Sequence, residues 1–212
     1  MIVPAILEKD QSVFHSRLSI AEQFTGVQRI QVDFADGKFA KNVTLSISEI
    51  ESLNPLFDWE AHLMLANPGK YLDYLLAGFK YIILQFESFA DRKGLIEAIN
   101  EVKTLGMVPC VGLLNDTKVE AVMDLEIENV LLLSVNPGFQ GGEFIPRTVD
   151  RVRELSKLRP DVIIEVDGGV NKSNIKSLHN VGAKVFVVGS AIFKSGNPKE
   201  NFESLQNELL VS

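Results

Sequence analysis

The sequence predicts an α/β protein, a closed (β/α)8 barrel, and three observations carry that prediction. Eight short, mostly apolar runs alternate with longer segments of helical periodicity. The chain has 212 residues, the small end of the range for such a barrel. No glycine-rich dinucleotide fingerprint follows the first strand, which speaks against the competing open, doubly wound sheet.

The candidate strands are residues 2–7, 29–34, 60–65, 81–86, 108–113, 130–135, 162–166 and 185–189. Each is short and nearly continuous in apolar residues, as parallel strands covered on both faces are. Helical spacing appears in residues 68–79 (Tyr71, Leu72, Leu75, Leu76), 92–105 (Leu95, Ile96, Ile99, Val102) and 148–158 (Val149, Val152, Leu155, Leu158). Residues 170–181 and 201–210 repeat it, with Asn171 or Ser173 as a cap for the former. No linker, low-complexity stretch or charge run divides the chain, so a single barrel domain over residues 1–212 is expected.

Composition narrows the function. The net charge of −7 argues against a nucleic-acid surface, which is usually basic. It leaves room for a phosphorylated small molecule, because a local site can be positive in an acidic protein. The lone cysteine, Cys110, cannot form an internal disulfide, in keeping with a reducing, cytoplasmic setting. It lies inside an apolar strand and reads as an inert thiol. The opening MIVPAILEKD has no basic n-region or cleavage pattern and reads as a first strand. No apolar run approaches the roughly 20 residues that span a bilayer, so no membrane partner is expected.

In a barrel, chemistry collects where strands end and loops begin. That rule selects Gln31 and Asp33 on strand two, His62 on strand three, Gln85 and Glu87 on strand four, and Asn115 after strand five. It also selects SVNPGFQGGEF after strand six, EVDGGV with Asp167 on strand seven, and VVGSAIF on strand eight. Asp33 stands out, since burying a carboxylate costs several kcal/mol unless something pairs with it. Two aspartates facing one another across a bound carbon can take a proton on one side and return one on the other. A divalent metal between them would stabilise the intervening enediolate. The turns PGFQGG, DGG and VGS let backbone N–H groups approach a phosphate closely, and three of them on successive strand ends form a coherent signal.

Plainer readings stand beside these. Either aspartate could be a buried acid paired with Lys or Arg, and His62 a core histidine bonded to backbone. Asp36-Gly37 reads as a turn. His15 and His179 lie on helical patterns and read as surface residues, while Trp59 reads as packing at the lower end of the barrel. Glu87 and Asn115 suit either a supporting role or loop caps.

The order of PAIL (4–7), VDFADGKF, AHLML, VNPGF, FIP, IEVDGGV and VVGSAIF resembles the ribulose-phosphate 3-epimerase family over nearly the whole chain. The resemblance implies a TIM barrel of the ribulose-phosphate-binding type. It implies an isomerase that interconverts ribulose 5-phosphate and xylulose 5-phosphate, a step of pentose phosphate metabolism. It implies Asp33 and Asp167 as proton-transfer residues, and a divalent metal (Zn, Mn, Mg or Fe) held by Asp33, His62, Asp167 and Gln31. It implies a phosphate held by Gly138, Gly141, Gly168, Gly169, Gly189 and Ser190. Barrels of this family often associate, so homo-oligomerisation is left open.

Several positions depart from the family pattern. The first metal-site histidine is Gln31, and the serine of the family's PSIL is Ala5. Two methionines are Ala35 and Leu133, and the strand-four histidine is Gln85. The loop PGFGGQ reads PGFQGG. A glutamine carbonyl is a harder, weaker ligand than imidazole, so zinc affinity should fall in favour of a harder ion or of no fixed metal. The alternatives are an epimerase of another ketose phosphate and a non-catalytic sugar-phosphate binder. A decarboxylase or aldolase-like lyase on the same barrel is disfavoured. The run Asp33-Phe34-Ala35-Asp36 has no lysine two residues after Asp33, and no strand clearly carries a Schiff-base lysine.

Overall fold

The computed structural model describes residues 1–50, 53–75, 78–137 and 141–210. Eight parallel strands close on themselves in chain order, β8 pairing with β1. They are β1 (Ile2–Ile6), β2 (Arg29–Ala35), β3 (Asp58–Met64), β4 (Phe79–Gln85), β5 (Val108–Leu113), β6 (Asn129–Leu133), β7 (Ile163–Asp167) and β8 (Val185–Val188). Around them run α1 (Gln11–Ala21), α2 (Leu72–Leu75), α3 (Arg92–Thr104), α4 (Thr148–Leu158), α5 (Ile175–Asn180), α6 (Ser190–Phe193) and α7 (Pro198–Leu210). This is the TIM barrel the alternation predicts.

The two faces of the strands do different work. Outward residues such as Ile30, Val32, Phe34, Ala61, Leu63, Ile82, Leu84, Val166 and Phe186 pack against the helices in one large cluster. Complete burial of such a side chain contributes roughly 1.5–3 kcal/mol. The inward apolar set is small: Val3, Ala5, Ile83, Cys110, Leu131, Leu133, Val185 and Val187. Polar residues take most of the remaining inward positions. Because strand side chains alternate, Arg29, Gln31 and Asp33 share one face of β2. Glu60 shares a face with His62, and Glu165 with Asp167.

Helices cover the barrel unevenly. The segment read as helical over 68–79 is a 3-10 turn (Pro68–Tyr71) followed by the single turn of α2, and Phe79 already belongs to β4. Its entry residue, Asn67, is left-handed, and Gly78 has φ +146°, so a continuous helix cannot form across it. Leu76, part of that pattern, lies outside the described residues. The expected helix over 170–181 shortens to α5, because the Asn171 side chain accepts from Ser173 N at 2.9 Å and closes a turn first. Asn174, not Asn171 or Ser173, precedes the helix. The turn after β5 is likewise only a 3-10 segment, Val119–Val122. Helix α1 buries Phe14, Leu18 and Ala21, a helical spacing present in the sequence and not read from it. His15 and His179 are exposed, and Trp59 is buried at the lower end of β3.

Candidate active site

Asp33 and His62 near the ends of β2 and β3, and Asp167 at the end of β7, lie on the inward face and meet at the C-terminal mouth. The register pairs Asp33 with His62 directly. His62 Nδ1 lies 3.2 Å from Asp33 Oδ1 and 3.4 Å from Asp167 Oδ2. Gln31 Nε2 donates to the same two oxygens, at 2.7 and 3.3 Å. Gln31 and His62 are fully buried and Asp33 nearly so, while Asp167 is half-buried. Asp33 and Asp167 both line the cavity at the mouth.

Burial raises the Asp33 carboxyl above its ordinary range; the bond from His62 opposes this and the Asp167 charge reinforces it. Burial alone would lower His62, but its bonds and charge attraction to Asp167 and Asp33 carry it up to about 10. The two carboxylates therefore demand a compensating cation, and an imidazolium or a divalent metal would meet that demand.

The donor set fits a metal ion at three positions. Ligand atoms of Asp33, His62 and Asp167 all lie within 4.8 Å of one another. Tetrahedral coordination at 2.0–2.2 Å requires ligand-to-ligand edges of roughly 3.3–3.6 Å, and the two His62–carboxylate separations are close to that. Gln31 lies beside them with its N–H side toward the carboxylates. Its Oε1 is buried without a partner.

The glycine turns surround the other side of the cavity. Gly141, Gly142, Gly168, Gly169, Gly189 and Ser190 line it together with the two aspartates. Gly168 and Gly169 both have positive φ, and a Cβ on Gly169 would lie 2.9 Å from Phe144 N. Only glycine fits there, which explains the DGG after β7. Ser134 Oγ donates to the carbonyls of Asp167 and Gly168 and fixes the end of β7. The amides of Asn171 and Asn174 donate to Gly169 O at 2.9 and 3.0 Å. Gly138, predicted to hold phosphate, lies outside the described residues.

The structure also brings in residues that the sequence reading did not select. A Cβ built on Gly141 would sit 3.5 Å from Lys194 Nζ, so an exposed cation stands over the glycine loop. Beneath the site, Arg29 Nη1 bridges Glu60 (2.9 Å) and Glu165 (3.1 Å), with its guanidinium 3.5 Å over the Tyr81 ring. Period two offered that signal, since each glutamate lies two residues before a site residue on the same face. Asp36 is a loop tie, as its turn reading implies: it accepts from the backbone of Lys38, Phe39 and Ala66. Asn115 donates to Val135 O at 2.8 Å and supports the loop after β6.

These features define a TIM barrel whose mouth joins a paired-aspartate, histidine-linked centre to a glycine-lined cradle. The model of the ribulose-phosphate 3 epimerase family matches residues 1–193, and the chain belongs to that family. It is 34% identical to the cytoplasmic isoform of ribulose-phosphate 3-epimerase from Oryza sativa subsp. japonica, over 98% of this chain and 93% of the relative. It is 28% identical to ribulose-phosphate 3-epimerase from Bacillus subtilis, over 97% of each chain. The fold matches 3-hexulose-6-phosphate synthase from Salmonella typhimurium (TM-score 0.72, 16% identity, 99% and 98% of the two chains). It also matches 3-keto-L-gulonate-6-phosphate decarboxylase from Vibrio cholerae (TM-score 0.72, 14% identity, 99% and 96%). At such identities these two structures speak to fold alone.

Proposed function

We propose that this chain epimerises ribulose 5-phosphate and xylulose 5-phosphate at carbon 3, with Asp33 and Asp167 as the proton-transfer pair. The observation that carries the reading is the convergence of both carboxylates on one cavity that the glycine turns also line. The phosphate is held by backbone N–H groups of Gly141, Gly168, Gly169, Gly189 and Ser190, with Gly138 as a further contact from the sequence. This anchoring sets carbon 3 between the carboxylates. One carboxylate takes the C3 proton from one face while the other delivers a proton to the opposite face. Asp33, whose carboxyl is raised by burial, suits the role of proton carrier.

Asp33, His62 and Asp167 would hold a divalent metal ion, with the Gln31 amide beside it. Such an ion, when bound, neutralises negative charge on the enediolate oxygens. Turning the Gln31 amide would exchange its N–H groups for Oε1, the atom now without a partner. Three oxygens and one nitrogen favour a harder ion such as manganese or magnesium over zinc. The lyase reading gains no support. Among the described strands the one lysine is Lys80, exposed at the entry to β4 and paired with Asp58 at 2.8 Å. Among the described residues no helix is long and apolar enough to cross a membrane. A cytoplasmic location is part of the same proposal.

The test is conversion of ribulose 5-phosphate to xylulose 5-phosphate by purified protein supplied in turn with Mn2+, Mg2+, Fe2+ or Zn2+. Turnover strongest with a hard ion supports the reading. No turnover with any ion, alongside intact ligand binding, would point to the non-catalytic binder.

A further inference from the structure

We infer that Gln85, oriented by Glu87 and given room by Gly112, is a positioning residue that fixes which nitrogen of the His62 ring meets the carboxylates. The inference rests on the epimerase reading of the site. Gln85 ends β4, is fully buried, and places Oε1 3.3 Å from His62 Nε2. Its Nε2 donates to Glu87 Oε2 at 3.4 Å. The other Glu87 oxygen accepts from Leu114 N at 2.9 Å and from the Thr117 hydroxyl.

Donor and acceptor chemistry closes the argument. Both Glu87 oxygens act as acceptors, so Glu87 draws the NH2 side of the Gln85 amide toward itself. The amide oxygen is thereby turned to His62. An amide oxygen also only accepts, so His62 Nε2 carries a hydrogen. The opposite ring nitrogen, Nδ1, is then the one that faces Asp33 and Asp167. A histidine at such a centre depends on this kind of outer partner for ring orientation, and its loss typically costs 10–100-fold.

Gly112 makes the contact sterically available. It pairs with Gln85 in the β4–β5 register. A Cβ built there would fall inside the Gln85 Oε1 atom's contact distance, and it would crowd Ile83 Cγ2 at 3.2 Å. Any side chain at this position displaces the oxygen from His62. The sequence shows only a glycine within an apolar strand; the constraint lies across the sheet.

The test uses the full chain. With three histidines in the protein, long-range 1H–15N correlation spectra resolve the His62 ring once His62→Gln assigns it. The expected result is an Nε2–H that exchanges slowly with solvent. In Gln85→Leu that protection is lost, kcat falls about 10–100-fold, and KM changes little. Gly112→Ala reproduces the loss even though Gln85 remains. A His62 ring without hydrogen on Nε2 in the wild type overturns the inference and needs no variant. So does a folded Gln85→Leu protein with unchanged kcat and unchanged exchange. Absence of turnover in the wild type would instead strike the epimerase reading, and the Nε2–H signal would still decide the positioning role.

Discussion

Inside the barrel the same pattern occurs twice, one layer above the other. Arg29 lies below Gln31 and Asp33 on β2, Glu60 below His62 on β3, and Glu165 below Asp167 on β7. Both layers hold two acids and a nitrogen base between them. In the lower layer the base is an arginine, and both glutamates are fully buried. In the upper layer the base is an imidazole, and Asp33 and Asp167 reach the cavity. Burial, and then the Glu165 charge, hold Glu60 well above the ordinary carboxylate range, with Arg29 opposing. The lower layer is thus a closed ion cluster, and the upper one is an acid–base centre with access to a ligand. Access separates them, because carboxylates in both are perturbed by burial.

Substitutions sharpen that contrast. The largest effect belongs to the upper layer. Asp167→Asn should lower kcat about 10^2–10^4-fold, the range for loss of a positioned acid or base, while inorganic phosphate still binds. Rates and a binding titration on one preparation check both halves. In the lower layer, Arg29→Met leaves two buried acids without their cation. It should cost about 3–5 kcal/mol of stability in urea unfolding. Glu60→Gln is nearly isosteric, keeps an oxygen for Arg29 and removes the repulsion between Glu60 and Glu165. It should change the unfolding free energy from the same urea titration by less than about 1 kcal/mol and leave turnover near wild type. A collapse of activity in Glu60→Gln would break the distinction between the layers.

Two smaller effects probe the rim and the ligand set. Gln31→His should tighten Zn2+ binding measured by chelator competition, since imidazole is the better zinc ligand. Lys194→Ala should raise KM by about threefold with kcat unchanged, the scale of one exposed charge pair. Raising the salt concentration should shrink the difference between Lys194→Ala and wild type.

Much of this was legible before the fold was known. Apolar runs at strand length gave the eight strands, since strands covered on both faces leave that mark. Asp33, His62 and Asp167 were legible from their places at strand ends. The DGG turn was legible because Gly168 and Gly169 answer to positive φ and tight contact. Other parts were hidden for physical reasons. The segment 68–79 has helical spacing, yet backbone geometry at Asn67 and Gly78 limits it to a turn of 3-10 helix and one of α. The Arg29 cluster joins residues 136 positions apart, and only the closed sheet brings them together. Gly112 looked ordinary because its neighbour across the sheet is what excludes a side chain. Lys194 sits on a helix end, and nothing local ties it to the Gly141 loop.

The central claim is that Asp33 and Asp167 exchange the carbon-3 proton. Its most direct test follows ribulose 5-phosphate by NMR in deuterated buffer with wild type, Asp33→Asn and Asp167→Asn. The account predicts deuterium at carbon 3 with xylulose 5-phosphate appearing in the wild type, and loss of that conversion in both variants. Undiminished turnover in Asp167→Asn, or no exchange at carbon 3 in the wild type, would contradict it.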